Sequence, residues 1–458
     1  DVLTSSNGTT DTFIFNVGDG ADTISTYESS GVASDILRFG AGIISASISL
    51  ERTGNDLIFK IGTNGDQVKV SNWYYGANYQ LARLEFADGT VLTNAQISQR
   101  PVTQTGTAGN DNLYGSASND VIDGLAGNDY ISAGDGNNTV NGGLGDDNIT
   151  TGAGNDTING GDGNDTINGG GGTNTIRGGT GNDSVTSSNG ATDTFVFNVG
   201  DGADTISTYE SSGVPNDILQ FGTGITAASV KLERSGYNLI FKIGTNGDQV
   251  AVSNWFNGAN YQLARLQFAD GTFLTNAQIS QLSVNQTGTA GNDNLYGAAS
   301  NDVIDGLAGN DYISAGDGNN TVNGGLGDDN ITAGAGNDIL VGGFGNDTLT
   351  GGIGADQFTF NATNQGIDTI TDFLSSQGDK ISVSASGFGG GLVAGATITA
   401  AQFVLGTAAA DASDRFIYNV TNGSLLFDID GTGAIAATQI AVLSSKPSIA
   451  HSDIFVIA

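Results

Sequence analysis

The chain has 458 residues, of which 73 are glycine and 48 acidic against 14 lysines and arginines, for a formal net charge of −34. Nucleic-acid binding is excluded, because phosphate contacts need basic patches. The absence of cysteine removes any disulfide framework or zinc–thiolate site, and the lone histidine, His451, leaves little room for histidine-dependent enzymology. Only 3 prolines and no Gly-X-Y period exclude collagen. No apolar run is long enough to span a bilayer; the nearest, residues 382–410, is rich in Gly, Ser and Thr, so membrane insertion is not expected.

Residues 1–160 recur at 183–342 with a constant offset of 182, and 28 of those positions differ. Such a repeat sets the domain plan before any local reading. Residues 1–105 read as a β-rich spacer with alternating runs at Thr12–Asn16 (TFIFN), Leu57–Ile61 (LIFKI) and Gln67–Val70 (QVKV). Asn64-Gly65 predicts a hairpin between the last two, and Asp88-Gly89 predicts another. Trp73, Tyr74, Tyr75 and Tyr79 form an aromatic cluster, repeated as Trp255, Phe256 and Tyr261. It reads as core or interface first and as a platform for a sugar ring second.

Residues 106–186 are nine contiguous nonapeptides, from GTAGNDNLY (Gly106–Tyr114) through GGLGDDNIT (Gly142–Thr150) to GGTGNDSVT (Gly178–Thr186). The first half of each is a Gly/Asn/Asp turn suited to positive φ. The second half is a very short strand whose central Ile, Leu or Val points inward. Two units make one coil of a solenoid, too small to bury its own face, so stacking supplies the core. Residues 187–287 are the second spacer and 288–359 a second array of eight nonapeptides. Residues 360–458 form a tail unlike the rest.

Stacking lines up the aspartates. Carboxylates one strand spacing apart repel by roughly 1 kcal/mol per pair even in water, so the turns need a cation between them. Carboxylate and carbonyl oxygens without nitrogen or sulphur donors select a hard ion, with Ca2+ above Mg2+. Aspartates placed only for solubility would be unphased and mixed with glutamate. Here 43 Asp stand against 5 Glu, phased at nine. An ion bridging alternate turns gives roughly a dozen Ca2+ per chain, which offsets most of the charge.

The phased GGxGxDxUx pattern resembles the RTX (haemolysin-type calcium-binding) family, whose nonapeptides stack as a parallel β-helix. The resemblance implies an all-β fold of tandem parallel β-rolls, right-handed, separated by β-rich spacers and closed by a C-terminal β cap. It assigns the sixth residue of each unit as the metal ligand: Asp111, Asp120, Asp129, Asp147, Asp156, Asp165 and Asp183, then Asp293, Asp302, Asp311, Asp329, Asp338, Asp347 and Asp356. Asn138, Asn174 and Asn320 depart from the pattern. Their amide oxygen can ligate but carries no charge, so weaker or empty sites are expected there. The spacers resemble the haemolysin-type calcium-binding-related domain, and Asp19 and Asp22 are candidate further ligands, the alternative being an ordinary polar turn. The tail, with Asp368-Thr-Ile370, Gly378-Asp-Lys-Ile381 and the terminal Ser452–Ala458, resembles the cap and uncleaved signal of type I secretion substrates. That implies export by the type I machinery to the outside or surface of a bacterium.

Arrays of this kind ride on proteases, lipases and epimerases, but His-Glu-x-x-His is absent and no nucleophile elbow appears. No enzymatic activity is expected within these residues. The expected role is a surface-layer, sheath or fibril component that folds and self-associates on extracellular calcium. The alternatives are a calcium-stiffened adhesin holding a cell-surface polysaccharide, or the C-terminal part of a larger RTX protein. Asp1 aligns with the middle of a nonapeptide, so further 182-residue modules are expected before it, or else trimming.

Overall fold

In each nonapeptide the glycines and the apolar residue divide the work. Gly143, Gly145, Gly161 and Gly163 take φ between 117° and 127°, which turns the chain without a side-chain penalty. Ile122, Ile131, Val140, Ile149, Ile158, Ile167, Ile176 and Val185 then point inward, each at most 4% exposed. The structure is a computed structural model that describes residues 1–187 and 190–458. Each roll strand lies in parallel register with the strand two nonapeptides further on. Val121–Asp123, Thr139–Asn141, Thr157–Asn159 and Thr175–Arg177 stack in one sheet. Asn112–Tyr114, Tyr130–Ser132, Asn148–Thr150, Thr166–Asn168 and Ser184–Thr186 stack in the other. Two nonapeptides therefore make one coil, a parallel β-roll with a one-side-chain core. Several strands are longer than the three residues expected and run through the following glycines, as in Thr139–Leu144.

The chain divides into two units, Asp1–Val230 with Tyr237–Asn276, and Lys231–Gly236 with Ala277–Ala458. The hydrogen bonding joins each roll to the segments that flank it. In the first unit the ladder does not stop at Thr186, because Thr175–Arg177 pairs in parallel with Thr194–Val196 and Ser184–Thr186 with Thr205–Ser207. At the other end, Val102–Thr105 bridges the first spacer's strand Ile48–Thr53 to the roll strand Val121–Asp123. Both predicted hairpins form, Ile61 opposite Asp66 and Glu85 opposite Val91. Trp73 is 2% exposed and meets Phe59 edge-on at 6.0 Å, so the tryptophan is core. Trp255 repeats this against Phe241. The sugar-platform reading of the two tryptophans is thereby withdrawn, since neither ring face is accessible.

In the second unit the roll ladders run on into the tail. Gln357–Phe360 pairs with Lys380–Val383, and Thr348-Leu349 with Thr369-Ile370. Antiparallel strands Phe416–Tyr418, Ser424–Phe427 and Thr438–Leu443 extend one sheet, which ends on Phe403–Leu405 paired in parallel with the first of them. The final strand, Ile454–Ile457, lies between Ile381–Ser384 and Ala396-Thr397, so it is not an edge strand. Its Ile454 and Val456 are fully buried.

Candidate metal centre in the stacked turns

Each turn aspartate is positioned by its own strand, two residues before the buried aliphatic, and faces the matching aspartate one coil away. The Oδ1 atom of each accepts the backbone N–H of its predecessor. Asp111 donates to Asp129, Asp129 to Asp147, Asp147 to Asp165 and Asp165 to Asp183, all at 2.7–2.8 Å. In the second unit Asp293, Asp311, Asp329 and Asp347 form the same column. The opposite flanks run Asp120, Asn138, Asp156, Asn174 and Asp302, Asn320, Asp338, Asp356.

The second carboxylate oxygen separates the predicted ligands into two kinds. In Asp129, Asp147, Asp156, Asp165, Asp183, Asp311, Asp329, Asp338, Asp347 and Asp356, Oδ2 is buried with no hydrogen-bond partner. A buried, unsatisfied anionic oxygen is costly, and ten of them phased along the rolls cannot be accidental. In the first coil of each roll the carboxylates are instead satisfied within the turn. Asp111 takes the Thr107 N–H and hydroxyl and Asp293 those of Thr289, while Asp120 takes Ser116 and Ser118 and Asp302 takes Ala298 and Ser300.

The surroundings of the unsatisfied oxygens suit a hard cation. A Cβ added to Gly142 would lie under 3.0 Å from both Asp147 Oδ2 and the Gly160 carbonyl oxygen. Gly160 stands likewise to Asp165 and Gly178, and Gly324 to Asp329 and Gly342. Each such glycine keeps open a space on which a carboxylate and a main-chain oxygen converge. Among the described residues no three Asp, Glu, His or Cys side chains gather as a ready-made cage. An ion here would take its remaining oxygens from turn carbonyls, the donor set calcium accepts. The residues therefore fit the ion that the sequence implies.

These carboxyls bind protons more readily than an ordinary aspartate. Burial is the main cause, partly opposed by the N–H bond and reinforced by neighbouring carboxylates. Asp147, Asp183 and Asp356 are pushed up to about 6, and Asp165 and Asp329 to about 7.

Sequence reading missed that the columns continue past the nonapeptides. Asp204 accepts the N–H of Asp183, Asp193 that of Asn174 and Asp217 that of Asp193. Asp368 follows Asp347 and Asp379 follows Asp356. Asp193 Oδ2 is also buried without a partner. The overlooked signal was Asp followed two residues later by an apolar residue, as in Asp193-Thr-Phe195 and Asp379-Lys-Ile381. Asp19 accepts the Asn16 N–H within its own turn, and Asp22 accepts from the main-chain nitrogen of Asp1 as Asp204 does from Asp183.

Two family models match stretches of this chain. The RTX calcium-binding nonapeptide repeat matches 105–191 and 287–358 in overlapping blocks. The haemolysin-type calcium binding protein related domain matches 56–96 and 238–278. Iron-regulated protein FrpA of Neisseria meningitidis serogroup C is 35% identical over 106 residues, which cover 22% of this chain and 9% of that protein. Among solved structures, the AlgE6R3 subunit of the Azotobacter vinelandii mannuronan C5-epimerase has 22% identity and a TM-score of 0.22, over 36% of this chain and 79% of that one. The extracellular lipase LipA of Serratia marcescens has 17% identity and a TM-score of 0.19, over 78% and 40%. Both structural likenesses are too distant to bear on chemistry. The repeat and the related domain alternate at the same offset of 182 seen in the sequence, so the chain carries two arrays of RTX calcium-binding nonapeptide repeats, each preceded by a haemolysin-type calcium binding protein related domain.

Proposed function

We propose that the protein is a secreted structural component of a bacterial surface, a layer, sheath or fibril subunit whose rolls close and associate on extracellular calcium. The observation that carries this reading is the ten unsatisfied sixth-position carboxylate oxygens along two modules in constant register. In the low calcium of the cytosol the columns repel and the chain stays open, fit for passage through a type I exporter. Outside, binding energy becomes folding energy. On this reading the sixth-position aspartates with free Oδ2 atoms are the ligands, roughly a dozen ions are bound, and the residues present do no catalysis. No helix among the described residues is long and apolar enough to cross a membrane.

A glycan-holding adhesin is the second reading, favoured by one surface feature. Tyr75 is 72% and Tyr27 49% exposed, and both rings contact Tyr79, at 5.7 and 5.4 Å between centroids. Electron microscopy of the purified protein in millimolar calcium, beside an aliquot in excess chelator, separates the two. Sheets or filaments that vanish on chelation are expected. Dispersed particles in both samples refute assembly and turn attention to polysaccharide binding by the tyrosines.

A further inference from the structure

Asn138, Asn174 and Asn320 stand where their neighbours have aspartate, yet they close their turns differently. Each amide oxygen is already committed. Asn138 Oδ1 accepts the N–H of Asp120 at 2.9 Å, Asn174 Oδ1 that of Asp156 at 2.8 Å, and Asn320 Oδ1 that of Asp302 at 2.9 Å. This fixes the orientation of the amide, because a flipped side chain would set an NH2 group against an N–H. The Nδ2 atom therefore points into the turn. Asn138 donates to the carbonyls of Gly134 and Gly136 at 3.0 and 3.1 Å. Asn320 does the same to Gly316 and Gly318 at 3.0 and 3.2 Å, and Asn174 donates to Gly169 at 2.8 Å.

In the open aspartate turns the atom in that place is Oδ2, an acceptor set among acceptors and left without a partner. The side chain that differs by one atom is fully satisfied. We propose that the three asparagine turns are cation-independent locks, in which the amide NH2 does the bridging that calcium does in the neighbouring turns. The second half of this statement rests on the calcium reading above, whereas the lock itself rests only on the hydrogen bonds. The locks are confined to one flank of each roll. Asn138 and Asn174 flank Asp156, and Asn320 lies between Asp302 and Asp338. The columns from Asp111 and from Asp293 contain no asparagine. Each roll thus has one flank with asparagine locks and one without them, in which every nonapeptide carboxylate after the first keeps an unsatisfied oxygen. Of the weaker or empty sites expected at these positions, the lock corresponds to empty ones.

Exchanging the two kinds of turn tests the lock. Asp147→Asn should keep the bond from Asp129 and turn an NH2 group to the turn carbonyls, whereas Asn138→Asp should create a new unsatisfied carboxylate. Chelated protein is titrated with trimethylamine N-oxide, which favours the compact state, and folding is followed by circular dichroism at pH 7. Asp147→Asn should fold at a lower osmolyte concentration than the unsubstituted protein and Asn138→Asp at a higher one. Equilibrium dialysis against calcium should find at least one ion fewer in the first and at least one more in the second. Unchanged or reversed midpoints for both variants overturn the lock. If the unsubstituted protein binds no calcium, the calcium reading fails, and the midpoints still decide the lock on their own.

Discussion

In excess chelator at pH 8 the protein is expected to lose most of its β-sheet signal and expand, and to recover both on adding millimolar calcium. Ten buried carboxylate oxygens without partners lie along coils whose apolar core is little more than one side chain per nonapeptide. At a hundredfold excess over Kd each filled site contributes about 2.7 kcal/mol, so a handful of ions already exceeds the ~5–15 kcal/mol stability of an ordinary domain. Acid should substitute in part for the metal. The turn carboxyls of the closed, metal-free roll are raised to about 6 or 7. Between the ordinary aspartate range near pH 4 and those values the closed state holds more protons than the open one. Stability of the metal-free rolls is therefore present below about pH 4 and lost as pH rises through 6 to 7. Chelated protein should regain β signal when taken from pH 8 to pH 5, measured by circular dichroism, while its calcium affinity falls because protons compete for the same oxygens. A chelated sample as well folded at pH 8 as at pH 5 would remove the columns from the explanation.

The second large effect is steric. Gly161 has φ +125°, and a Cβ there would meet the Gly143 carbonyl of the coil below at under 3.0 Å. Left-handed backbone costs an ordinary residue about 1–2 kcal/mol, and overpacking against an immovable main chain adds about 1–3 kcal/mol. Gly161→Ala should therefore cost about 3 kcal/mol or more and raise the calcium concentration needed for folding. Gly54 is the control, with φ +56° and nothing within 4 Å of its built Cβ. Gly54→Ala should cost only about 1 kcal/mol, from backbone strain alone. Calcium-induced folding followed by circular dichroism gives both numbers, and equal midpoints for the two variants would contradict the close stacking of coils.

The coil was legible because its pattern is local and redundant: Gly at the turn, Asp at the sixth place, Ile or Val at the eighth, repeated without a gap. The hairpin at Asn64-Gly65 and the core role of Trp73 were legible for the same kind of reason, strong turn chemistry in one case and a large apolar ring in the other. Where each column ends was not. Asp193, Asp204 and Asp217 lie in sequence that breaks the period of nine, and only the parallel pairing of Thr194–Phe197 and Ala203–Ser207 with the roll sets them in line. Pairing partners are decided by stacking, which no window of sequence contains. The split among the turns was also hidden. Asp120 and Asp129 have the same place in the motif, yet Ser116 and Ser118 satisfy the first while the second is left with a bare oxygen. The direction of the asparagine amides likewise depends on a donor one coil away.

The count of calcium ions bound by the folded chain bears most directly on the central claim, that the carboxylate columns are closed by metal. Equilibrium dialysis at pH 7.5 should give on the order of ten ions per chain, about one for each unsatisfied turn carboxylate. Binding should rise over the same calcium range as the β-sheet signal. Two ions or fewer, or full binding to a chain that is folded before calcium is added, would contradict it.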